Sequence, residues 1–227
     1  KIHAMLKRQG ILTSQKRVAR LMQELGIRGI SKKKTRRAYR QIKEREVALD
    51  RVRRQFHAAK PNELWFADIT YVKTHQGWLY LAVVFDVYSR LIVGWSMAST
   101  MTAKLVDDAL KMGIARRSPN PGLIHHSDRG SQYCSLLLGK TMTEHDIEPS
   151  MGAIQAPWDN AITESLMSII KTECVHRNTF KTHHQAKLTL FDYIECFYNR
   201  LRIHGSLGNL SPMEYEDKMA VQNKISA

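Results

Sequence analysis

Cysteine is scarce in this chain. There are three, Cys134, Cys174 and Cys196. The number is odd and none stands at a metal-ligand spacing. That excludes a disulfide framework and a thiolate zinc site, and the three read as thiols in a reducing compartment. No apolar run approaches the roughly 18 residues that a membrane-crossing helix needs. The first residues lack a signal-peptide apolar core. Internal repeats are missing, and so is low-complexity sequence outside one basic run. The chain begins at Lys1 rather than Met, so a fragment or a processed product is expected.

Acidic residues are scarce in one region only. Residues 1–60 hold 19 Lys/Arg against Glu24, Glu44, Glu46 and Asp50, a net of +15. Residues 61–227 hold 16 Lys/Arg against 17 acids, a net of −1. A nearly neutral domain therefore follows a strongly basic segment. Such asymmetry points to a polyanion, most simply nucleic acid. The basic segment has no long apolar face, which argues against a membrane surface. With 227 residues, 43% of them hydrophobic, the chain can bury a sizeable core in one or two domains.

Four regions follow from composition and periodicity. In residues 1–30, two short amphipathic helices flank Gly10, and Ser14 is placed to cap the second. Lys16, Arg17 and Arg20 project from that second helix, the outline of a DNA-binding helix-turn-helix. Residues 31–60 begin SKKKTRRAYR. Lys32, Lys33, Lys34, Arg36 and Arg37 there make a phosphate-contacting arm, favoured over a merely solvated linker. Pro61-Asn62 marks a boundary. Residues 61–180 form the next unit, and 181–227 contribute a helix and a tail that complete it. From Leu64 the expected order is β-β-β-α-β-α-β-α-α, with a turn at Gln76-Gly77 and the second of these helices running from about Gln132 to His145. Three leading antiparallel strands followed by alternation imply an α/β fold, a mixed central sheet flanked by helices.

Three carboxylates stand out. Asp68 interrupts an apolar strand, LWFADITYV, where a charge is costly unless it is paired or binds a cation. Asp128 sits just past the end of a later strand, in HHSDRGSQY, at the edge where sites assemble in such sheets. Glu164 lies on the helix WDNAITESLMSIIKTE, residues 158–173, which carries a core stripe of Ile162, Leu166, Ile169 and Ile170. Asn160, Glu164 and Lys171 share the other side of that helix. Carboxylates converging from two strands and a helix suit hard divalent cations and phosphoryl transfer. His125 and His126 lack the cysteine partners of a zinc module. Asp86, before a turn, reads as structural. Asp107 and Asp108 suit a helix N-terminus. Trp65, Trp78, Trp95 and Trp158 read as core.

Local sequence makes the pattern specific. An Asp on a strand, HSDRGSQY, 35 residues to Glu164 in a Trp-Asp-Asn-Ala-x-x-Glu-Ser helix, and Lys171 resemble the DDE transposases of bacterial insertion sequences. The group is the one read from the second reading frame and sharing the retroviral-integrase core. The tail YNRLRIHGSLGNLSPMEYE is similar to that family's C-terminal signature, and the helix pair to its helix-turn-helix. The resemblance implies an RNase H-like core with Asp68, Asp128 and Glu164 as catalytic metal ligands. It implies Mg²⁺, as two ions, with Mn²⁺ able to substitute. Lys171 would contact terminal DNA, with Asn160 beside it. His126, Arg129, Gln132 and Tyr133 would support the site or touch DNA. The implied reaction cleaves element ends to leave a 3′-hydroxyl, which then attacks another phosphodiester. Implied partners are double-stranded DNA, further copies in a synaptic complex, and a first-reading-frame protein or fusion, in the nucleoid of a bacterial cytoplasm.

Departures from the family are the loop MGAIQAP (151–157), Gly205 where Ser is common, and Asn209 where an aromatic is usual. They leave two alternatives open: a DNA-binding regulator with a degraded core, and a structure-selective nuclease of the same fold.

Overall fold

A computed structural model describes residues 1–29, 48–52, 55, 57–152 and 161–225. Lys32, Lys33, Lys34, Arg36 and Arg37, the loop 153–157, Trp158 and Asn160 lie outside the described residues.

The sheet is built from β1 (Leu64–Thr74), β2 (Gly77–Asp86), β3 (Ile92–Ala98), β4 (Ile124–Ser127) and β5 (Glu148–Met151) in the order β3-β2-β1-β4-β5. The first three strands form an antiparallel meander, and β4 and β5 add in parallel beside β1. The mixed sheet expected from the strand order is therefore present. The β1–β2 turn closes because the Thr74 hydroxyl donates to the Gly77 carbonyl and accepts from the Gln76 amide. Gly77 takes φ +100°, which other residues rarely adopt. Asp86 is structural: it is fully buried, accepts the Asn62 and Tyr88 amides, and faces Arg117.

Alternation along the strands divides the core. On one face, Phe66, Val72, Leu81 and Val83 pack against α5 (Ala161–Glu173) and α6 (His183–Phe191). On the other, Trp65, Ala67 and Val84 pack against α3 (Ala103–Arg117) and α4 (Leu136–Glu144). Gly94 admits α3 closely: a Cβ there would stand 2.1 Å from the Ala109 carbonyl oxygen. Gly94→Ala must push backbone from backbone, so a loss of about 1–3 kcal/mol in denaturant unfolding is expected; an unchanged midpoint would contradict this close approach.

Three details differ from the sequence reading. First, α4 starts at Leu136 rather than near Gln132, because Ser135 Oγ accepts the Leu138 amide and sets the cap. Second, the buried stripe of α5 runs through Thr163, Leu166, Met167 and Ile170, leaving Ile162 and Ile169 half-buried. The helix is rotated toward Glu164 and Lys171, which sit on its half-buried shoulder rather than at a solvent pole. Third, the tail contains α7 (Pro212–Ile225). Its Glu216 accepts from Arg117 at 2.7 Å and from Ser89 at 2.6 Å, tying the tail to the end of α3. Trp78 is also no core residue; it is 51% exposed.

The helix pair is α1 (Ile2–Arg8) and α2 (Gln15–Glu24), with Ser14 accepting the Arg17 amide at the start of α2 as expected. Arg8 pairs with Glu214 and donates to the Asn209 carbonyl. Below them, Arg202 grips Glu173 through two bonds of 2.7 Å, and the Tyr193 hydroxyl donates to the same carboxylate. Beside Arg202, burial and the charges of Arg202, Lys1 and Arg90 outweigh Glu173 and push His204 down to about 3. Below about pH 6.5 the unfolded chain takes up a proton that the folded chain refuses. His204 thus weakens the fold as pH falls toward 3. Asp86, raised by burial to about 6, acts in the opposite sense between about pH 4 and 6. Melting wild type and His204→Asn across this range should show the wild type losing up to about 1.4 kcal/mol per pH unit more than the variant; parallel curves would contradict it.

Candidate active site

The site begins with strand register. β1 and β4 pair as Leu64 with Ile124, Trp65 with His125 and Phe66 with His126. Carried two steps beyond the last of these pairs, the same offset leads from Asp68 to Asp128, the residue that follows β4. Neighbouring strands lie about 4.8 Å apart. The register therefore aligns a carboxylate in the middle of β1 with one just past the end of β4. By alternation Asp68 belongs with Phe66 and Val72, on the face that α5 covers.

Local bonds orient both groups. Asp128 Oδ1 accepts the Gly130 amide at 2.9 Å, and Asp68 Oδ1 accepts the Ile69 amide at 2.8 Å. A Cβ at residue 130 would stand 2.9 Å from Asp128 Oδ1, so glycine keeps that turn open. Asp128 is exposed, and Asp68 and Glu164 are half-buried. Tyr133 packs against His125, ring centroids 6.3 Å apart, and its hydroxyl is buried without a hydrogen bond among the described residues. Burial, then the charges of Asp68 and Asp128, push that phenol well above its usual value. One buried hydroxyl therefore feels both carboxylates.

Glu164 enters from the first turn of α5, whose buried side packs on the Asp68 face. Among the described residues no three His, Cys, Asp or Glu side chains gather into a group that could hold a metal ion. The structure thus aligns Asp68 with Asp128 by register, with Glu164 on the helix that covers the Asp68 face. The donors themselves fit a hard divalent cation: they are carboxylates, one exposed and one half-open, at the end of a sheet. His125 and His126 are buried in packing, the latter bonded to Ser150 at 2.9 Å. Ser150 also accepts the Arg51 amide, a link between the basic segment and β5 that no sequence pattern announces.

The other candidates are dispersed. Arg129 Nε donates to the Gly152 carbonyl at 2.8 Å, holding the start of the loop that leads to α5. Gln132 donates to the Met101 carbonyl. Tyr133, expected to support the site or touch DNA, is 5% exposed and faces the carboxylates rather than solvent. Lys171 is half-buried, two turns along from Glu164. Lys16, Arg17 and Arg20 are exposed on α2, where Arg20 pairs with Glu24 at 3.6 Å. No helix among the described residues is long and apolar enough to cross a membrane.

Comparison with known proteins agrees with this architecture. Residues 58–157 and 164–219 match integrase core domain families, and residues 1–35 match an HTH-like domain. The fold is shared with a chain of the simian T-cell lymphotropic virus intasome, solved with PP2A regulatory subunit B56 gamma. There the TM-score is 0.59 at 18% identity, covering 76% of this chain and 59% of that one. It is shared also with the HTLV-2 integrase catalytic core domain solved with magnesium in a trimeric form, TM-score 0.51 at 15% identity, covering 70% and 98%. The core is thus RNase H-like. Transposase InsF for insertion sequence IS3A of Escherichia coli is 40% identical over 213 residues, 94% of this chain and 74% of that protein. The transposase for insertion sequence element IS904 of Lactococcus lactis is 39% identical over 219 residues, 95% and 85%. An HTH-like segment ahead of an integrase core, with this identity across nearly the whole chain, means that the protein belongs to the DDE transposases of bacterial insertion sequences.

Proposed function

We propose that this transposase cuts DNA at the ends of its element and joins the freed 3′-hydroxyl to a second phosphodiester, at a site formed by Asp68, Asp128 and Glu164. The observation that carries this reading is the level placement of Asp68 and Asp128 on neighbouring strands beside one phenol. The two aspartates would hold divalent cations, Mg²⁺ in the first instance, with Glu164 joining from α5. When bound, such ions activate an attacking oxygen and stabilise a leaving one. The chain's own residues do the positioning. The Gly130 amide fixes the Asp128 carboxylate, and Tyr133 walls one side against water. Lys171 and Arg129 place positive charge where a phosphodiester would lie. Both steps are in-line displacements at phosphorus, so one site serves both.

Lys16, Arg17 and Arg20 on α2, and Lys32, Lys33, Lys34, Arg36 and Arg37 after it, would grip the duplex, with Asn160 near the cut. Each phosphate neutralised releases counterions, steepening the salt dependence of binding by about 0.9 in log-log slope. Replacing Lys32, Lys33 and Lys34 with Ala should lower that slope by up to about 2.7; an unchanged slope in fluorescence anisotropy would exclude phosphate contacts there. The reaction in bacterial cytoplasm would run in an assembly of several copies.

The test of the reading is a duplex carrying the element ends, incubated with the chain and Mg²⁺. Cut strands with 3′-hydroxyls and joined products are expected. Cutting without joining would indicate a nuclease, and binding without either a DNA-binding regulator.

A further inference from the structure

Three aromatic rings stand together near the turn of the β1–β2 hairpin. Tyr71 faces Tyr80 across the ladder with ring centroids 5.4 Å apart, and Trp78 meets Tyr71 edge-on at 6.1 Å. Trp78 is 51% exposed and Tyr71 46%. Contiguous rings left in water mark a surface that something covers.

Charge says what the occupant is. The segments bordering the rings are 69–85, 95–106 and 129–143, and none contains an Asp or Glu. They carry Lys73, Lys104, Arg129 and Lys140, of which Lys104 pairs with Asp108 at 2.7 Å and Lys140 with Glu144 at 3.7 Å. Lys73 pairs across the ladder with Trp78 and is exposed. A surface that sets the exposed Lys73 among flat rings suits a polyanion bearing π-faces.

Position narrows it further. Tyr71 lies three residues beyond Asp68, about 10 Å along the strand. That spans roughly three nucleotides of a stacked strand. Asp68 and Tyr71 occupy opposite faces of β1, and Tyr133, at the end of the loop 128–133, packs in the core on the Tyr71 side. Asp128 begins the loop level with Asp68, and Gln132 reaches the Met101 carbonyl. The Tyr71 hydroxyl in turn contacts Met101 Sδ at 3.7 Å. Contacts through Met101 thus link the loop that Asp128 begins to the rings. A paired duplex offers only base edges in its grooves, so stacking on these rings requires opened base pairs.

We propose that Tyr71, Trp78 and Tyr80 form a stacking platform for unpaired bases of the DNA strand about three nucleotides from the scissile phosphate, with Lys73 on the adjacent phosphate. This deepens the DNA-cleaving reading and rests on it. The test compares binding of a blunt duplex with that of the same duplex carrying a short unpaired extension, in chelator so that no cleavage occurs. Trp78→Ala and Tyr71→Ala should each weaken the extended duplex about tenfold and leave the blunt one unchanged, with Trp78→Phe restoring most of the loss. Both side chains are exposed, and a thermal melt confirms that each variant folds. Equal weakening of both duplexes, or of neither, overturns the platform while cleavage by the wild type still upholds the site. If the wild type binds neither duplex, the DNA-cleaving reading falls and takes the platform with it.

Discussion

Asp128→Asn should reduce both cleavage and strand joining at least about a thousandfold, while DNA binding and thermal stability stay near wild type. The substitution keeps the shape. An amide oxygen can still accept the Gly130 N–H, so the turn after β4 survives. Asp128 is exposed, so removing its charge disturbs no packing. What disappears is the negative charge that would hold a divalent cation. Such ions supply several kcal/mol of charge stabilisation, and each 1.36 kcal/mol is a factor of ten. Asp68→Asn should behave alike. The two chemical steps should fall together, because both would use the same carboxylates. Asp86→Asn is the informative control. It removes the charge of a buried, structural carboxylate, so its effect should appear in the melting curve before the chemistry. Activity of Asp128→Asn within tenfold of wild type would remove the aspartate pair from the mechanism.

The largest stability effect is expected at Arg202. Its guanidinium is 6% exposed and spans Glu173 with two short bonds. Arg202→Leu would leave a carboxylate in a half-closed environment with the Tyr193 hydroxyl and the more distant Lys1, 3.9 Å away, as its remaining partners among the described residues. Burial raises the Glu173 carboxyl, but bonds and charge from Arg202, with help from Tyr193, outweigh that and hold it below its usual value. Breaking one partner of a buried pair typically costs about 3–5 kcal/mol. Some solvent reaches Glu173, which favours the low end. For a chain of this length that lowers the melting temperature by roughly 6–12 °C. Removing both partners, as Glu173→Leu with Arg202→Leu, should recover part of the loss, since no lone charge remains. A double variant no better than Arg202→Leu alone would place the stabilisation in packing rather than in the ion pair. The pair ends α5, the helix that carries Glu164, so the single variant should also slow cleavage by loosening that helix.

The order of elements along the chain, the turn at Gln76-Gly77, the Ser14 cap and the position of Asp128 past a strand end were all legible in residue pattern, because each depends on local periodicity or backbone chemistry. The pairing of Asp68 with Asp128 was legible only as a conjunction of motifs; the register that sets them level is a tertiary fact. Less visible was α7. Its apolar residues, Met213, Tyr215, Met219 and Val221, make no clear stripe, and ion pairs from Glu214 and Glu216 to distant arginines hold it. The rotation of α5 was hidden for a related reason. Thr163 and Met167 are buried in preference to Ile162 and Ile169, and hydrophobicity alone ranks them the other way. Trp78 was misplaced because composition cannot tell which end of a strand outruns its covering helix. Tyr133 was expected near the site, but its burial depends on the loop that returns it against His125.

The register between β1 and β4 also has a temporal meaning. The β1–β2–β3 meander joins neighbours in sequence and can form as soon as it leaves the ribosome. The aspartate pair needs a parallel strand that arrives only after α3, and parallel pairing of distant segments is slow. A nascent chain therefore carries basic helices able to hold DNA before it has any means of cutting it. Pulse-labelled hydrogen exchange would show this order directly, with amides of β2 protected before those of β4. If the aspartate pair is the cutting centre, as proposed, a protein held near its own gene while still being made would hold that DNA without cutting it until synthesis is well advanced.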